Sequence, residues 1–209
     1  MKTIILSLIC FILSIAAIAQ DVAKAFEYFN AERYAEAAHE FELCLPEIKA
    51  YYGDADTTFY AKYAFYIAFS YKKIQQFKSA EKYYLLVKDI YKKVGGTRSS
   101  FFEIVFNNLV GLYQEIGQYD KALTLLLEAL ENTEKTLGKH HSSYGVRLNS
   151  LAILYKEIGQ YDKALTLLLE ALENTEKTLG KNHSMYGVRL NNLAILYDAI
   201  GQYDKALPL

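Results

Sequence analysis

Glu115–Lys139 reads EIGQYDKALTLLLEALENTEKTLGK, and Glu157–Lys181 repeats it letter for letter. A third copy opens at Ala199–Leu209 as AIGQYDKALPL. Working outward, Asn107–Leu148 aligns without gaps on Asn149–Leu190, at a period of 42. The two copies differ only at Asn108/Ser150, Val110/Ala152, Gly111/Ile153, Gln114/Lys156, His140/Asn182 and Ser143/Met185. A fixed period of this length is the mark of a repeat architecture. Two older copies follow from the same landmarks. The ring of GQYDKA recurs as Tyr34, Phe77, Tyr119, Tyr161 and Tyr203, with Ala three residues on and Tyr six residues before each time.

Each unit reads as two helices. Leu148, Leu151, Ala152 and Tyr155 fall at i, i+3, i+4 and i+7, one helical face, and Gly159 closes that helix. The second helix is expected from about Tyr161 to Leu179. Ala164, Leu168, Ala171 and Leu172 form its buried side, Glu173 and Lys177 an outward pair, and Gly180 its stop. A two-helix unit cannot bury its apolar face alone, so the units must stack. A continuous coiled coil is excluded by this long period and its glycine breaks.

LNNLAILYDAIGQYDKAL, with Leu193, Ala194, Tyr197, Gly201, Tyr203 and Ala206, resembles the tetratricopeptide repeat. The longer unit, with LGKNHS before the next LNNLA, is similar to the kinesin-light-chain-like subclass. The resemblance covers about Asp21–Leu209. It implies an all-α fold, a right-handed α-solenoid of antiparallel helix pairs. Units are expected at about 21–58, 59–100, 101–142 and 143–184, with a partial one at 185–209. The chain departs from the family pattern in having no Trp and no Pro after the second helix.

The resemblance also implies that the outer side of each first helix lines a concave, ligand-binding face. The residues so placed are Asn107, Asn108 and Gln114, then Asn149, Ser150, Ile153 and Lys156, then Asn191, Asn192 and Ile195. An Asn column at 107, 149 and 191 could donate to and accept from a peptide backbone. Alternatively these amides satisfy helix ends or water. Four of the six differences sit at or beside this face, which reads as variation that spares the framework.

Composition limits the rest. The 209 residues are 52% hydrophobic and 22% charged with a net charge of −1. That balance excludes a disordered tail and a basic nucleic-acid binder. Lys2, the apolar run Ile4–Ala19 and the exit Ala17-Ile18-Ala19 have the layout of a signal peptide, cleaved after Ala19 or retained as an anchor. The mature chain is then expected to be exported, periplasmic or extracellular, and off the membrane. Cleavage leaves Cys44 as a lone thiol, so no internal disulfide is expected. No nucleophile constellation, phosphate loop or dinucleotide motif occurs, and His39, His140, His141 and His183 lack convergent co-ligands. No enzyme activity, cofactor, metal or nucleic-acid partner is expected. The expected function is a bacterial scaffold or adaptor that binds a protein or peptide. The alternative is a fragment: the sensory or regulatory arm of a larger signalling protein or enzyme, of histidine-kinase or caspase-like CHAT type. The unfinished helix at Tyr203–Leu209 motivates the expectation that the chain continues.

Overall fold

A computed structural model describes residues 19–52, 57–96 and 99–208. Apart from residue 19, the leader segment lies outside the described residues. The described chain is all-α. Its helices are α1 (residues 19–30), α2 (Tyr34–Tyr52), α3 (Thr57–Lys73), α4 (Phe77–Lys93), α5 (Ser100–Glu115), α6 (Tyr119–Leu137), α7 (Ser142–Glu157), α8 (Tyr161–Leu179), α9 (Ser184–Ala199) and α10 (Tyr203–Ala206). No helix among the described residues is long and apolar enough to cross a membrane. The contacts divide the chain into two compact units, Met1–Leu112 and Tyr113–Leu209.

One turn chemistry is reused throughout. At Gly159 (φ 75°) the backbone turns left-handed. Gly159 N–H donates to Lys156 O at 3.1 Å and Gln160 N–H donates to Tyr155 O at 2.8 Å. These are the two bonds of a Schellman stop, and they release the chain into the second helix. Gly117 and Gly201 make the same pair of bonds. In the two older copies the left-handed position is held by Glu32 (φ 58°) and Gln75 (φ 59°), with the same bonds. A side chain disfavours that conformation. Across the turn a lysine of the second helix lies over the landmark tyrosine of the first. Lys163 is 5.1 Å from the Tyr155 ring centre and Lys205 is 5.5 Å from that of Tyr197. Each is placed for a cation–π attraction.

The first unit fills its core with rings. Phe26, Phe29, Phe41 and Tyr66 meet edge-on or stacked at centroid distances from 4.9 Å (Phe26–Tyr66) to 6.5 Å (Phe29–Phe41). Edge-to-face and offset contacts are the arrangements that ring quadrupoles favour. The small residues Ala37, Ala61, Ala64 and Ala68 are buried on the same helices and let them approach. The Glu42 carboxylate accepts from both Tyr71 and Tyr83 hydroxyls, each at 2.7 Å, and so ties α2 to α3 and α4.

The second unit fills its core with Leu and Ala. Ala152, Ala164, Leu168, Leu193 and Leu196 form one buried cluster where α7, α8 and α9 meet. Tyr144, Leu148 and Ala171 form another between α7 and α8. The expected face of α7 is thus buried at Leu148, Leu151 and Ala152 and half-buried at Tyr155. Leu172, expected in the core, is only half-buried. Val110 and Ala152 are both core residues, so variation between the copies does not spare the framework, contrary to the sequence reading.

Candidate protein-binding face

The expected binding residues lie on α5, α7 and α9. On α5, Asn107 is exposed. Asn108 is half-buried, donates to Ile104 O at 2.9 Å and accepts from the Tyr84 hydroxyl at 3.4 Å. Both belong to the first unit. In the second unit Gln114 donates to the Glu157 carboxylate at 2.6 Å, joining equivalent ends of two first helices.

On α7 and α9 the pattern separates. Asn149 is only 7% exposed, because α9 covers it and Asn192 Nδ2 donates to its Oδ1 at 2.8 Å. The column of open asparagines is therefore interrupted: Asn191 is exposed, while Asn149 is spent on holding two repeats together. Ser150 Oγ returns to its own helix at Val146 O, 3.2 Å. Ile153 and Lys156 are half-buried. On α7 and α9 the exposed apolar residues include Val146 at 39%, Val188 at 45% and Ile195 at 43%, with exposed Asn191 between the last two and exposed Glu157 and Asp198 toward the helix ends. Ile195 lies one repeat on from half-buried Ile153, and Val188 one repeat on from Val146. In the second unit the face thus offers the Asn191 amide to a backbone, flanked by Val188 and Ile195.

Three features were not seen in the sequence. His141 and His183 cap α7 and α9, each Nδ1 accepting a backbone N–H two residues on at 3.1 Å. Their regular spacing was visible, but a histidine cap has no common sequence signature. Asn174 is 8% exposed and donates to Lys139 O (2.6 Å) and His141 O (3.4 Å), so it holds the loop before α7 against α8. Arg189 on α9 is only 2% exposed, one turn before buried Leu193.

The titratable groups give little chemistry. Burial pushes the Cys44 thiol up to about 11, so it stays protonated and is a poor nucleophile at neutral pH. Burial, then the bond to Glu42, pushes Tyr71 up to about 12 and raises Tyr83 further. Tyr144 is raised by burial and by Glu170, against the opposing pull of Lys139. Among the described residues no group of three or more His, Cys, Asp or Glu side chains could hold a metal.

The tetratricopeptide-repeat family description matches residues 102–177 and 147–209, together more than half of the chain. The chain belongs to the tetratricopeptide-repeat family. No curated protein matches it. Among solved structures, this tetratricopeptide-repeat chain is similar to a putative kinesin light chain with nearly identical TPR-like repeats from Podosopora anserina. That match has 24% identity and a TM-score of 0.68, covering 92% of this chain and 90% of that one. It is similar to BtubC (BKLC) from P. vanneervenii at 19% identity and a TM-score of 0.57, covering 93% and 86%. A Rap protein complexed with competence and sporulation factor matches at 20% identity and a TM-score of 0.56, covering 88% of this chain but 49% of that one. At these identities the likeness is one of fold.

Proposed function

We propose that the chain is an exported interaction scaffold that holds a protein or peptide against the first helices of its repeats, in the manner of the kinesin-light-chain-like subclass. The carrying observation is the open strip of Val188, Asn191 and Ile195 on α9, continued by Val146 on α7, on helices whose other sides are buried. Aliphatic side chains left uncovered beside the exposed Asn191 amide suit a segment that contributes its backbone and small apolar side chains. The Rap complex is in keeping with this reading, since a similar helical fold there accompanies a bound factor. Export rests on Lys2, the apolar run that follows and the small-residue exit at Ala17–Ala19.

The test is affinity capture from the native organism's export compartment, using wild type, Val188→Asp, Ile195→Asp and, on another helix, Leu169→Asp. Leu169 is exposed, so all three changes place a charge in water and should fold. The proposal expects the two α9 changes to release a specific partner that Leu169→Asp retains. Equal recovery with all four chains would sink it.

A further inference from the structure

A cleft of about 170 Å³ opens where the loop between α6 and α7 lies against α8. Two of its lining residues are themselves buried: Tyr144 is 5% exposed and Asn174 8%. Asn174 holds the loop in place through Lys139 O and His141 O. Charges of both signs complete the lining, Lys139 and His140 from the loop and Glu170, Glu173 and Lys177 from α8. The Tyr144 ring stands between two of them. The Lys139 ammonium is 5.8 Å from the ring centre, and the Tyr144 hydroxyl donates to the Glu170 carboxylate at 3.2 Å. Lys139 reaches Glu134, at 3.5 Å, rather than Glu170. Glu173 and Lys177 pair with each other across one turn of α8. This enclosure is not a property of the α8 sequence alone. α6 carries the same residues as Glu128, Glu131, Asn132 and Lys135, and all four are exposed. His140, on the covering loop, is one of the six changes between the two copies, with Asn182 in its place one repeat on.

Two lysines and two glutamates, with the histidine neutral, leave this lining with no net charge. A singly charged ligand would satisfy one sign and be repelled by the other. A ligand with both charges a few bonds apart meets both. The cleft is smaller than the roughly 300–1,000 Å³ of pockets for drug-sized ligands, so its occupant is small. We propose that the cleft binds a free α-amino acid, its carboxylate on Lys139 beside His140 and its ammonium on Glu170. Both contacts are charge-assisted hydrogen bonds, the stronger kind. The Tyr144 hydroxyl already holds the Glu170 carboxylate in place for its part. The Glu173–Lys177 pair supplies a polar rim. The site shares no residue with the open strip of Val188, Asn191 and Ile195, so the two proposals stand or fall separately.

The probes are the free proteinogenic L-amino acids, titrated singly into the full 209-residue chain and followed by backbone-amide NMR spectra. At least one should move the signals of residues 139–144 and 170–178 saturably. Its N-acetyl and carboxamide forms, each lacking one charge, should bind about tenfold more weakly or not at all. Lys139→Met and Glu170→Gln should each weaken the same amino acid by about tenfold or more, since each removes one charged partner. Lys139 is exposed, and glutamine at 170 keeps an acceptor for Tyr144, so both variants should fold. Lys181→Met removes the corresponding lysine one repeat on and should leave the affinity unchanged. The proposal is overturned if no amino acid moves these signals, if a blocked form binds as well as its parent, or if either cleft variant binds as wild type does.

Discussion

Gly145 and Gly187 occupy the same position in consecutive repeats, each four residues after a capping histidine, yet replacing them with alanine should have opposite effects. A Cβ on Gly145 would stand 2.4 Å from Asn174 Oδ1, 3.1 Å from its Cγ and 3.4 Å from its Cβ. A Cβ on Gly187 would meet nothing within 4 Å. At Gly187, alanine adds only helix propensity, a gain of about 1 kcal/mol. At Gly145 the same gain is opposed by displacement of a buried amide that holds Lys139 O and His141 O. Two hydrogen bonds at about 1 kcal/mol each, plus about 1 kcal/mol or more for polar groups left unpaired, exceed the gain. The net cost is then about 1–2 kcal/mol, and the two variants should differ by about 2–3 kcal/mol. Urea unfolding followed by circular dichroism measures the difference. The cause is isolated by Asn174→Ala: in that background Gly145→Ala should become stabilising, because the obstructing amide is gone. Equal stabilisation by Gly145→Ala and Gly187→Ala in the parent chain would refute the reasoning.

The same physics gives four further expectations. Gln75→Gly relieves a left-handed residue where the younger repeats have glycine. It should stabilise the first unit by about 1 kcal/mol, whereas Gly159→Ala should cost about as much; thermal melts read both. Asn192→Ala removes the donor to buried Asn149, while Asn191 is exposed. In urea unfolding the first should cost about 1 kcal/mol or somewhat more, and Asn191→Ala should stay within about 0.5 kcal/mol of wild type. Tyr71 has a native pKa of about 12 against an ordinary 10.0, so it favours the fold below pH 10 and loses that contribution as pH climbs toward 12. Alkaline unfolding monitored by tyrosinate absorbance should therefore begin in that window and be less steep in Tyr71→Phe. Excising Ser143–Ser184, one whole period, should leave a helical, cooperatively folding chain, because α6 and α8 are identical and present the same surface to the next first helix; loss of the cooperative melt would contradict this.

Much of the helical fold could be read directly. The bounds of α8, Tyr161–Leu179, follow from the aromatic landmark at one end and Gly180 at the other. The stop at Gly159 and the outward Glu173–Lys177 pair are likewise local matters, set within a few residues of each other. The face of the first helices was harder. A periodicity argument separates two sides of a helix but does not say which outer residues the next repeat will cover. Asn149 and Asn191 are the same letter one period apart, and only contact with α9 makes one buried and the other exposed. Asn174 and Arg189 were missed for a related reason. The partners of Asn174 lie 33 to 35 positions away, and the 2% exposure of Arg189 is likewise set by the packing of α9. Neither a heptad count nor a motif reports such neighbours.

Hydrogen–deuterium exchange on the chain with a captured partner, compared with the chain alone, tests the proposed role most directly. Protection concentrated in peptides covering residues 146–157 and 188–199, with little change on the outer sides of α6 and α8, is the predicted result. Protection confined to α6 and α8, with residues 188–199 exchanging at their free rate, would contradict it.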